Sequence, residues 1–317
     1  MIRSVTVVIC TWNRAKLLDQ TLAQMHKLRV PEGVEWELLV VNNNCTDDTD
    51  AAVQRHASSL PVRLLHEPRS GKSHAANLAL EQARGDLLIW IDDDVLVDPD
   101  WLTAYLRAAQ SHPRAVFFAG ALKPWFEKEP PRWLRRHLSA LGGVYVLADY
   151  GNSIQPWTSD YGIFGANMAF RTSVARLFPL NPRLGRIRGE LIGGDDTELI
   201  ERVVQAGYSG ILVPEACARH FVPAERLRTK YIWRWYRGAG SNSVRQGVIH
   251  DAPRFAGFPR WALRAFIQQF GLSLLYSPFK GPRWFSSFTK SARLWGIMQE
   301  SRSVYNETAS GLDLVKC

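Results

Sequence analysis

The sequence predicts an α/β fold in which helices cover a mostly parallel sheet. Two features of the first hundred residues lead to this prediction. Short β-branched, apolar runs alternate with segments whose apolar residues recur at helical spacing. The runs are almost continuously apolar, which is typical of parallel strands that are buried on both faces.

The predicted elements follow one another in strand–helix order. We expect strands at residues 5–10, 36–41, 62–66 and 87–91, and helices at 15–28, 47–56 and 73–83. Polar clusters follow three of these strands, at 11–14, 42–44 and 92–94. Because ligands of such sheets lie beyond the carboxyl ends of the strands, these three loops predict the site.

The remainder of the chain is less regular. Residues 120–190 are rich in Trp, Pro and Gly, and within them 161–171 reads as a loop entering a strand. A helix is expected at 193–207, with Leu199, Val203 and Ala206 on its apolar face and Gly207 as its C-terminal cap. A strand that ends near His220 follows it.

The positive charge is concentrated in the last third of the chain. Residues 1–218 carry 23 Lys/Arg against 25 Asp/Glu, whereas 219–317 carry 16 against 5 and hold 17 of the 35 aromatic residues. A solvated basic face, an anionic membrane surface and an anionic acceptor all fit this distribution. We expect no nucleic-acid partner, because no nucleic-acid motif accompanies the charge.

The sequence lacks motifs that would indicate several other classes of protein. The four cysteines are too far apart in sequence for a C-x-x-C metal or redox motif. A count this low is typical of a protein in a reducing compartment. No G-x-G-x-x-G follows the first strand, and "RSGKSHAAN" lacks the upstream glycine of a P-loop. The N-terminal run reads as the first strand and not as a signal peptide.

Three adjacent carboxylates, Asp92–Asp94, end the run "LLIWIDDD". They could cap the next helix, since "DPD" at 98–100 also resembles a helix start. They could instead hold a divalent cation, because hard cations take carboxylate oxygens and leave coordination positions for phosphate.

Five segments in order resemble glycosyltransferase family 2, whose members have the GT-A fold. They are "VTVVICTWNR", "LLVVNNNCTDDT", "GKSHAANLAL", "GDLLIWIDDD" and "GGDDTELIERVVQAGY", with "VPEACARHF" after them. The resemblance covers residues 4–222. It implies a mixed, mostly parallel sheet with a Rossmann-like nucleotide half, and an inverting transfer of sugar from a nucleotide sugar.

The resemblance also implies roles for individual residues. Thr11, Asn13 and Arg14 would line the nucleotide pocket, and Asn43 would also bind the nucleotide sugar. Asn42 would lie where the family often has an Asp that accepts the uracil N–H. An amide can pair with the same edge of the base, so a UDP-sugar is the expected donor. Lys72 could reach a phosphate or simply be a solvated residue at a helix start.

The carboxylates receive roles by the same resemblance. Asp92 and Asp93 would contact the donor, and Asp94, Asp92 and His220 would hold Mn²⁺ or Mg²⁺. Asp196, beside Asp195, would be the general base, because inversion needs a carboxylate opposite the leaving diphosphate. The pair could also merely cap its helix, as the sequence "GGDDTEL" suits a cap.

We expect a catalytic domain at 1–225 and a basic, aromatic, helical extension at 226–317. Residues 226–247, interrupted by Gly-Ala-Gly, resemble a segment that can close over the donor, where Arg234 and Arg237 could meet the diphosphate. Residues 261–276 place Leu263, Phe266, Ile267, Phe270 and Leu274 on one helical face. This helix could pack on the catalytic domain or lie on an anionic membrane surface, and it is too short to span one.

The expected activity is therefore that of an inverting, hexosyl-type glycosyltransferase of bacterial polysaccharide or glycolipid synthesis. Its acceptor would be a carbohydrate or lipid-linked hydroxyl, and its place the cytoplasm or the inner face of the cell membrane. A nucleotidyltransferase and a non-catalytic nucleotide-sugar-binding protein are the alternatives. The first usually has a Gly-rich loop after strand one, which "CTWNRAKLL" lacks.

Overall fold

A computed structural model describes residues 2–182, 184, 194–245 and 253–313, with side chains up to residue 306. The chain divides into two compact units. The first comprises Met1–Trp125 and Tyr145–Phe221, and the second Phe126–Val144 and Val222–Cys317. The predicted domain boundary after residue 225 stays a prediction.

The described strands form one large sheet and one small hairpin. The strands are β1 (Ser4–Thr11), β2 (Glu35–Asn42), β3 (Val62–His66), β4 (Leu87–Asp92), β5 (Val95–Val97), β6 (Ala115–Phe126), β7 (Gln155–Pro156), β8 (Asn167–Arg171), β9 (Ser209–Val222), β10 (Arg254–Phe255) and β11 (Phe258–Pro259). The large sheet has the order β3-β2-β1-β4-β8-β6-β9-β5, with β7 paired to β9, and the hairpin pairs β10 with β11.

The helices confirm each helical segment predicted from periodicity, with ends shifted by a few residues. They are α1 (Ala15–Met25), α2 (Thr49–His56), α3 (Lys72–Gln82), α4 (Trp101–Ser111), α5 (Arg132–Arg135), α6 (Gly142–Tyr145), α7 (Thr172–Ala175), α8 (Asp195–Gln205), α9 (Thr229–Arg245), α10 (Arg260–Leu275) and α11 (Pro282–Asp313). Short 3₁₀ turns lie at Leu138–Leu141 and Ala224–Leu227. Of the helix predicted at 193–207, residue 193 lies outside the described residues.

The sheet is mixed, as predicted, and its parallel pairings lie in one half. Strands β3, β2, β1 and β4 pair in parallel. The central residues of β1, β2 and β4 are buried, as the apolar runs predicted, whereas β3, at the edge of the sheet, is only partly buried. Strand β8 then runs antiparallel to β4 and to β6, and β9 runs antiparallel to β5. Of the strands in the antiparallel half, β8 and β9 were predicted from the sequence, whereas β5, β6 and β7 were not.

A buried amide links β8 to β6 and β9 and to α4. Asn167 of β8 lies opposite Ile91 of β4, and its Oδ1 accepts hydrogen bonds of 2.8 Å from both Trp101 Nε1 and Tyr105 Oη. Its Nδ2 donates to the carbonyl oxygens of Ala121 and Ala216. A buried amide is stable only when its donors and acceptors are satisfied, and here one side chain satisfies four partners.

In the second unit, α9 and α11 cross with their backbones in close contact. A Cβ built at Gly240 of α9 would collide with the carbonyl oxygen of Arg293, and one at Gly296 of α11 with that of Arg237. Helix α9 therefore runs unbroken through the Gly-Ala-Gly sequence, where an interruption was expected. The glycine at 240 serves the helix crossing and does not end the helix.

The predicted apolar stripe of α10 is divided between two environments. Leu263 and Phe266 pack with Ala262 against Ile297 and Met298 of α11. The other members of the stripe, Ile267, Phe270 and Leu274, are exposed. Among the helices that the structure describes, none has both the length and the apolar character needed to cross a membrane.

Candidate functional site

The three carboxylates lie where β4 ends and the chain turns into β5. Asp92 is the last residue of β4, opposite Cys10 of β1, and Asp93 and Asp94 form the turn that follows. The parallel pairing of β1 with β4 therefore brings the loop after β1 beside the acids. The predicted convergence at this sheet edge follows from that register.

His220 reaches the same place from the opposite direction. It lies on β9, opposite Val95 of β5, and the amide of Phe221 donates to the carbonyl oxygen of Asp94 at 2.9 Å. The ligand atoms of Asp92, Asp94 and His220 all lie within 4.8 Å of one another. The antiparallel pairing thus brings together residues that are about two fifths of the chain apart in sequence.

This group fits a divalent cation. Asp94 and His220 are 2% and 1% exposed. The Oδ1 of Asp94 is buried and accepts no hydrogen bond from the described residues; His220 Nε2 lies 3.4 Å from it. A buried carboxylate oxygen in that state calls for a positive partner, and two carboxylates with an imidazole are donors that suit Mn²⁺ or Mg²⁺.

Asp93 faces into the protein and fixes the turn. Its carboxylate accepts hydrogen bonds from Thr11 Oγ1 at 2.8 Å and Arg14 Nη1 at 3.0 Å, and its backbone oxygen accepts one from Thr21. Burial raises the pKa of Asp93 to about 6, against the lowering effect of Arg14 and with the charge of Asp94 adding to the rise. These contacts hold the turn in place, and the contact of Asp93 with the donor stays a prediction.

Arg14 ties two of the acids together. Its Nη1 lies 3.0 Å from Asp93 Oδ1 and 2.8 Å from Asp94 Oδ2, and these carboxylates raise the pKa of the guanidinium. One oxygen of Asp94 is thereby held by an arginine while the other is left for a cation. Arg14 thus offsets the repulsion between the two buried, adjacent carboxylates of Asp93 and Asp94 without a cation between them.

Lys72, the first residue of α3, donates from Nζ to Asp92 Oδ1 at 2.5 Å. It also lies near Asp196, because a Cβ built at Gly165 would be 3.7 Å from Lys72 Nζ and 3.8 Å from Asp196 Cβ. Burial and the charge of Asp195 raise the pKa of Asp196, and the charge of Lys72 opposes this rise. The lysine is thus positioned between the cation group and Asp196.

Asp196 lies in the first turn of α8, after Gly194, whose φ of +101° suits glycine. Its Oδ2 accepts a hydrogen bond of 3.0 Å from the amide of Gly165, and its Oδ1 one of 2.8 Å from the amide of Thr197. Burial, and then the charge of buried Asp195, raise the pKa of Asp196. A fixed carboxylate with a raised pKa is suited to accept a proton.

The predicted asparagines hold the loops beside the acids. Asn42 donates to Asp50 at 2.6 Å and accepts from the amide of Cys45 at 2.7 Å. Asn43 donates to two backbone oxygens and accepts from the amide of Gly71, and Asn13 accepts from the amide of Thr46. Both ends of the Asn42 and Asn43 amides are thus in use within the loops, and the contacts of all three asparagines with a nucleotide stay predictions.

Two residues near Asp196 were not predicted. Gly165 supplies the amide that fixes Asp196 Oδ2, and the charge of Asp196, after burial, raises the pKa of Tyr150. The hydroxyl of Tyr150 donates to the carbonyl oxygen of Gly162 at 2.7 Å. The segment "YGIFGANMAFR" was recognised as a loop entering a strand, but nothing in its pattern indicated that it would meet α8.

Comparison with known proteins identifies the family of this chain. The model for "Glycosyl transferase family 2" matches residues 6–178, more than half of the 317 residues. The succinoglycan biosynthesis protein ExoM of Rhizobium meliloti is 27% identical over 232 residues, which cover 72% of this chain and 70% of that protein. The glucosyl-dolichyl phosphate glucuronosyltransferase of Haloferax volcanii is 26% identical, with coverage of 54% and 53%.

Solved structures share the fold. The mannosyltransferase PcManGT of Pyrobaculum calidifontis, in complex with GDP-Man and Mn²⁺, has a TM-score of 0.58 at 21% identity and covers 98% of this chain and 75% of its own. Residues 1–349 of S. aureus TarS, with UDP-GlcNAc, give 0.52 at 14% identity, with coverage of 97% and 92%. The GT-A fold predicted by resemblance is confirmed, and the family match shows that the chain belongs to glycosyl transferase family 2.

Proposed function

We propose that the protein is an inverting, hexosyl-type glycosyltransferase that moves a sugar from a nucleoside-diphosphate sugar to an acceptor hydroxyl. One observation carries the proposal. A cation group, Asp92, Asp94 and His220, and a fixed carboxylate with a raised pKa, Asp196, both adjoin Lys72. A displacement at an anomeric carbon needs these two functions on opposite sides of the sugar.

The leaving-group side of the site is the acid cluster. Asp94, Asp92 and His220 would hold Mn²⁺ or Mg²⁺, the former being present in PcManGT. Such a cation, when bound, supplies positive charge that stabilises the departing diphosphate. Lys72 adds a second positive charge next to Asp92, and we assign it to the diphosphate oxygens.

The acceptor side of the site is Asp196. In the proposed step the acceptor oxygen forms a bond to the anomeric carbon while the bond from that carbon to the diphosphate oxygen breaks. The electron pair of the broken bond leaves with the diphosphate, and the acceptor's proton moves to the carboxylate of Asp196. Attack opposite the leaving group inverts the anomeric centre, and the raised pKa of Asp196 favours acceptance of the proton.

The donor is proposed to be a UDP-sugar. Thr11, Asn13, Arg14, Asn42, Asn43, Asp92 and Asp93 are the proposed nucleotide-sugar-binding residues. TarS, with UDP-GlcNAc bound, supports a uridine nucleotide, whereas the GDP-Man of PcManGT makes guanosine the comparison that an experiment must include. We place the reaction in bacterial polysaccharide or glycolipid synthesis, in the cytoplasm or on the inner face of the membrane, with a carbohydrate or lipid-linked acceptor.

The proposal is tested by calorimetric binding of UDP, GDP, ADP and dTDP, each with and without Mn²⁺, to the wild type and to Asp94→Asn. We expect metal-dependent binding of UDP that weakens at least about 100-fold in the variant, since even supporting residues of metal sites are worth 10–100-fold. Asp100→Asn, an exposed carboxylate at the start of α4, is the matched control and should bind UDP as the wild type does. Metal-independent binding, or no binding of any nucleotide, contradicts the proposal and favours a capping role for the three acids.

A further inference from the structure

An exposed apolar surface follows the outer side of α10 and the loop after it. It consists of Trp261, Ile267, Phe270, Leu274, Leu275 and Phe279, all large and all exposed. We call this set the α10 surface. Side chains of this kind are normally scattered singly over a protein surface, and a contiguous group on one helix indicates a partner.

The surface is not the part of the helix that stabilises the fold. Ala262, Leu263 and Phe266 provide the contact with α11, which is the side of α10 that packing requires. The exposed group lies on the remaining side of the helix and in the loop after it, and each of its members is at least 39% exposed. Sequence periodicity put Leu263 and Phe266 on one face with three of the exposed residues, and the packing of α11 uses only part of that face. The three are Ile267, Phe270 and Leu274.

The charge around the surface is of one sign. Residues 253–299 contain seven Lys and Arg and no Asp or Glu. Arg260, Arg264, Lys280 and Arg283 lie on or beside the surface. A second copy of this chain, docked face to face, would bring like charges together, whereas an anionic lipid surface would complement them.

A groove of about 430 Å³ adjoins the surface. Phe270 and Leu274 belong to both, and Trp233, Trp284 and Phe288 form more of its wall, with Lys280 also lining it. Tryptophan and lysine side chains are suited to the boundary between lipid headgroups and hydrocarbon, because each joins an apolar body to a polar end. The groove therefore adds apolar area next to the α10 surface, and its lining also suits an anionic lipid surface.

We propose that the α10 surface lies in the headgroup region of a membrane rich in anionic lipid. The apolar side chains would enter the interface and the arginines would contact the headgroups, as in an interfacial amphipathic helix. This inference rests on the proposed location at the inner face of the membrane, and it names the surface responsible. It does not depend on the identity of the donor.

The test is sedimentation of the full chain with vesicles of phosphatidylcholine alone and of phosphatidylcholine mixed with phosphatidylglycerol, at low and high salt. The decisive variant is Leu275→Glu, and its matched control is Leu177→Glu, since both leucines are 65% exposed. We expect the wild type to bind the mixed vesicles at low salt. Leu275→Glu should lower the bound-to-free ratio at least about tenfold, whereas Leu177→Glu should leave it unchanged.

Arg264→Gln provides the electrostatic arm, with an expected loss of about fivefold, since one basic residue near an anionic surface is worth about 1 kcal/mol. Failure to bind the mixed vesicles at low salt, or equal loss in both leucine variants, overturns the inference. Light scattering is measured in parallel, and a dimer that Leu275→Glu abolishes would assign the surface to self-association instead. Calorimetric UDP binding, which Leu275→Glu should preserve, is read separately, so failure of the donor proposal is distinguishable.

Discussion

Replacement of Asp196 by asparagine tests the assignment of the general base. The two carboxylate oxygens each accept one backbone N–H, from Gly165 at 3.0 Å and from Thr197 at 2.8 Å. An asparagine retains a single carbonyl oxygen, so its NH₂ group must face one of these two donors. Asp196→Asn therefore removes the base and also leaves one amide N–H without its acceptor.

These two losses differ in size and can be measured separately. An unsatisfied, buried amide costs about 1–3 kcal/mol of folding stability. Loss of a general base lowers the rate of the chemical step by about 10²–10⁴-fold. The catalytic effect is therefore the larger one as long as the variant remains folded, and binding of UDP with Mn²⁺ should change little because Asp196 does not belong to the cation group.

The assay follows release of nucleoside diphosphate from the donor, with water taking the place of the acceptor until one is identified. Thermal unfolding and UDP calorimetry are measured on the same samples. Glu198→Gln on the same helix is the control and should react at close to the wild-type rate. A folded Asp196→Asn protein that binds UDP normally and keeps more than about a tenth of the wild-type rate would refute the assignment, since a base is worth far more.

Two other predictions concern the neighbourhood of Asp196 and the helical unit. After burial, the charge of Asp195 raises the pKa of Asp196. Because the reaction needs Asp196 ionised, activity is lost as the pH falls through that pKa. Asp195→Asn should move this loss of activity to lower pH, and an unchanged pH–rate profile would contradict the prediction. Gly240→Ala should lower the unfolding midpoint in denaturant: alanine gains about 1 kcal/mol in a helix, but its Cβ meets the Arg293 carbonyl, and such overpacking costs about 1–3 kcal/mol or more. Gly271→Ala on α10, where a Cβ meets nothing within 4 Å, should instead raise the midpoint.

The parallel half of the sheet and its acid cluster could be predicted from sequence because both depend on local patterns. Continuous apolar runs identify strands that are buried on both faces, and the residues that follow such strands lie at one edge. Asp92–Asp94 and Asn42 were placed correctly at this edge on that basis. Their roles towards a ligand are a separate matter and stay predictions.

The antiparallel half could not be predicted from local patterns because its contacts join distant segments. His220 meets Asp94 through the pairing of β9 with β5, and only a family resemblance had suggested that pair. The contact of Gly165 with Asp196 likewise joins a loop to a helix about thirty residues further on. In the second unit, the sequence did not show which element would pack against α10. The predicted apolar stripe of α10 therefore gave no sign that only part of it contacts α11.

The four hydrogen bonds of Asn167 have a consequence for how the protein opens under thermal fluctuation. The residue lies opposite Ile91, one position before the acids begin, at the seam between the parallel and antiparallel halves. The side-chain hydrogen bonds of Asn167 run to α4, β6 and β9, so separation of β8 from these elements would leave a buried amide, an indole N–H and a phenol without partners. Each buried polar group left without a partner costs about 1–3 kcal/mol, which opposes partial opening at β8. We therefore expect amide protons on β8 to exchange with solvent only through global unfolding, and because β8 pairs with β4, a strand that does not open locally lies beside the strand that ends at Asp92.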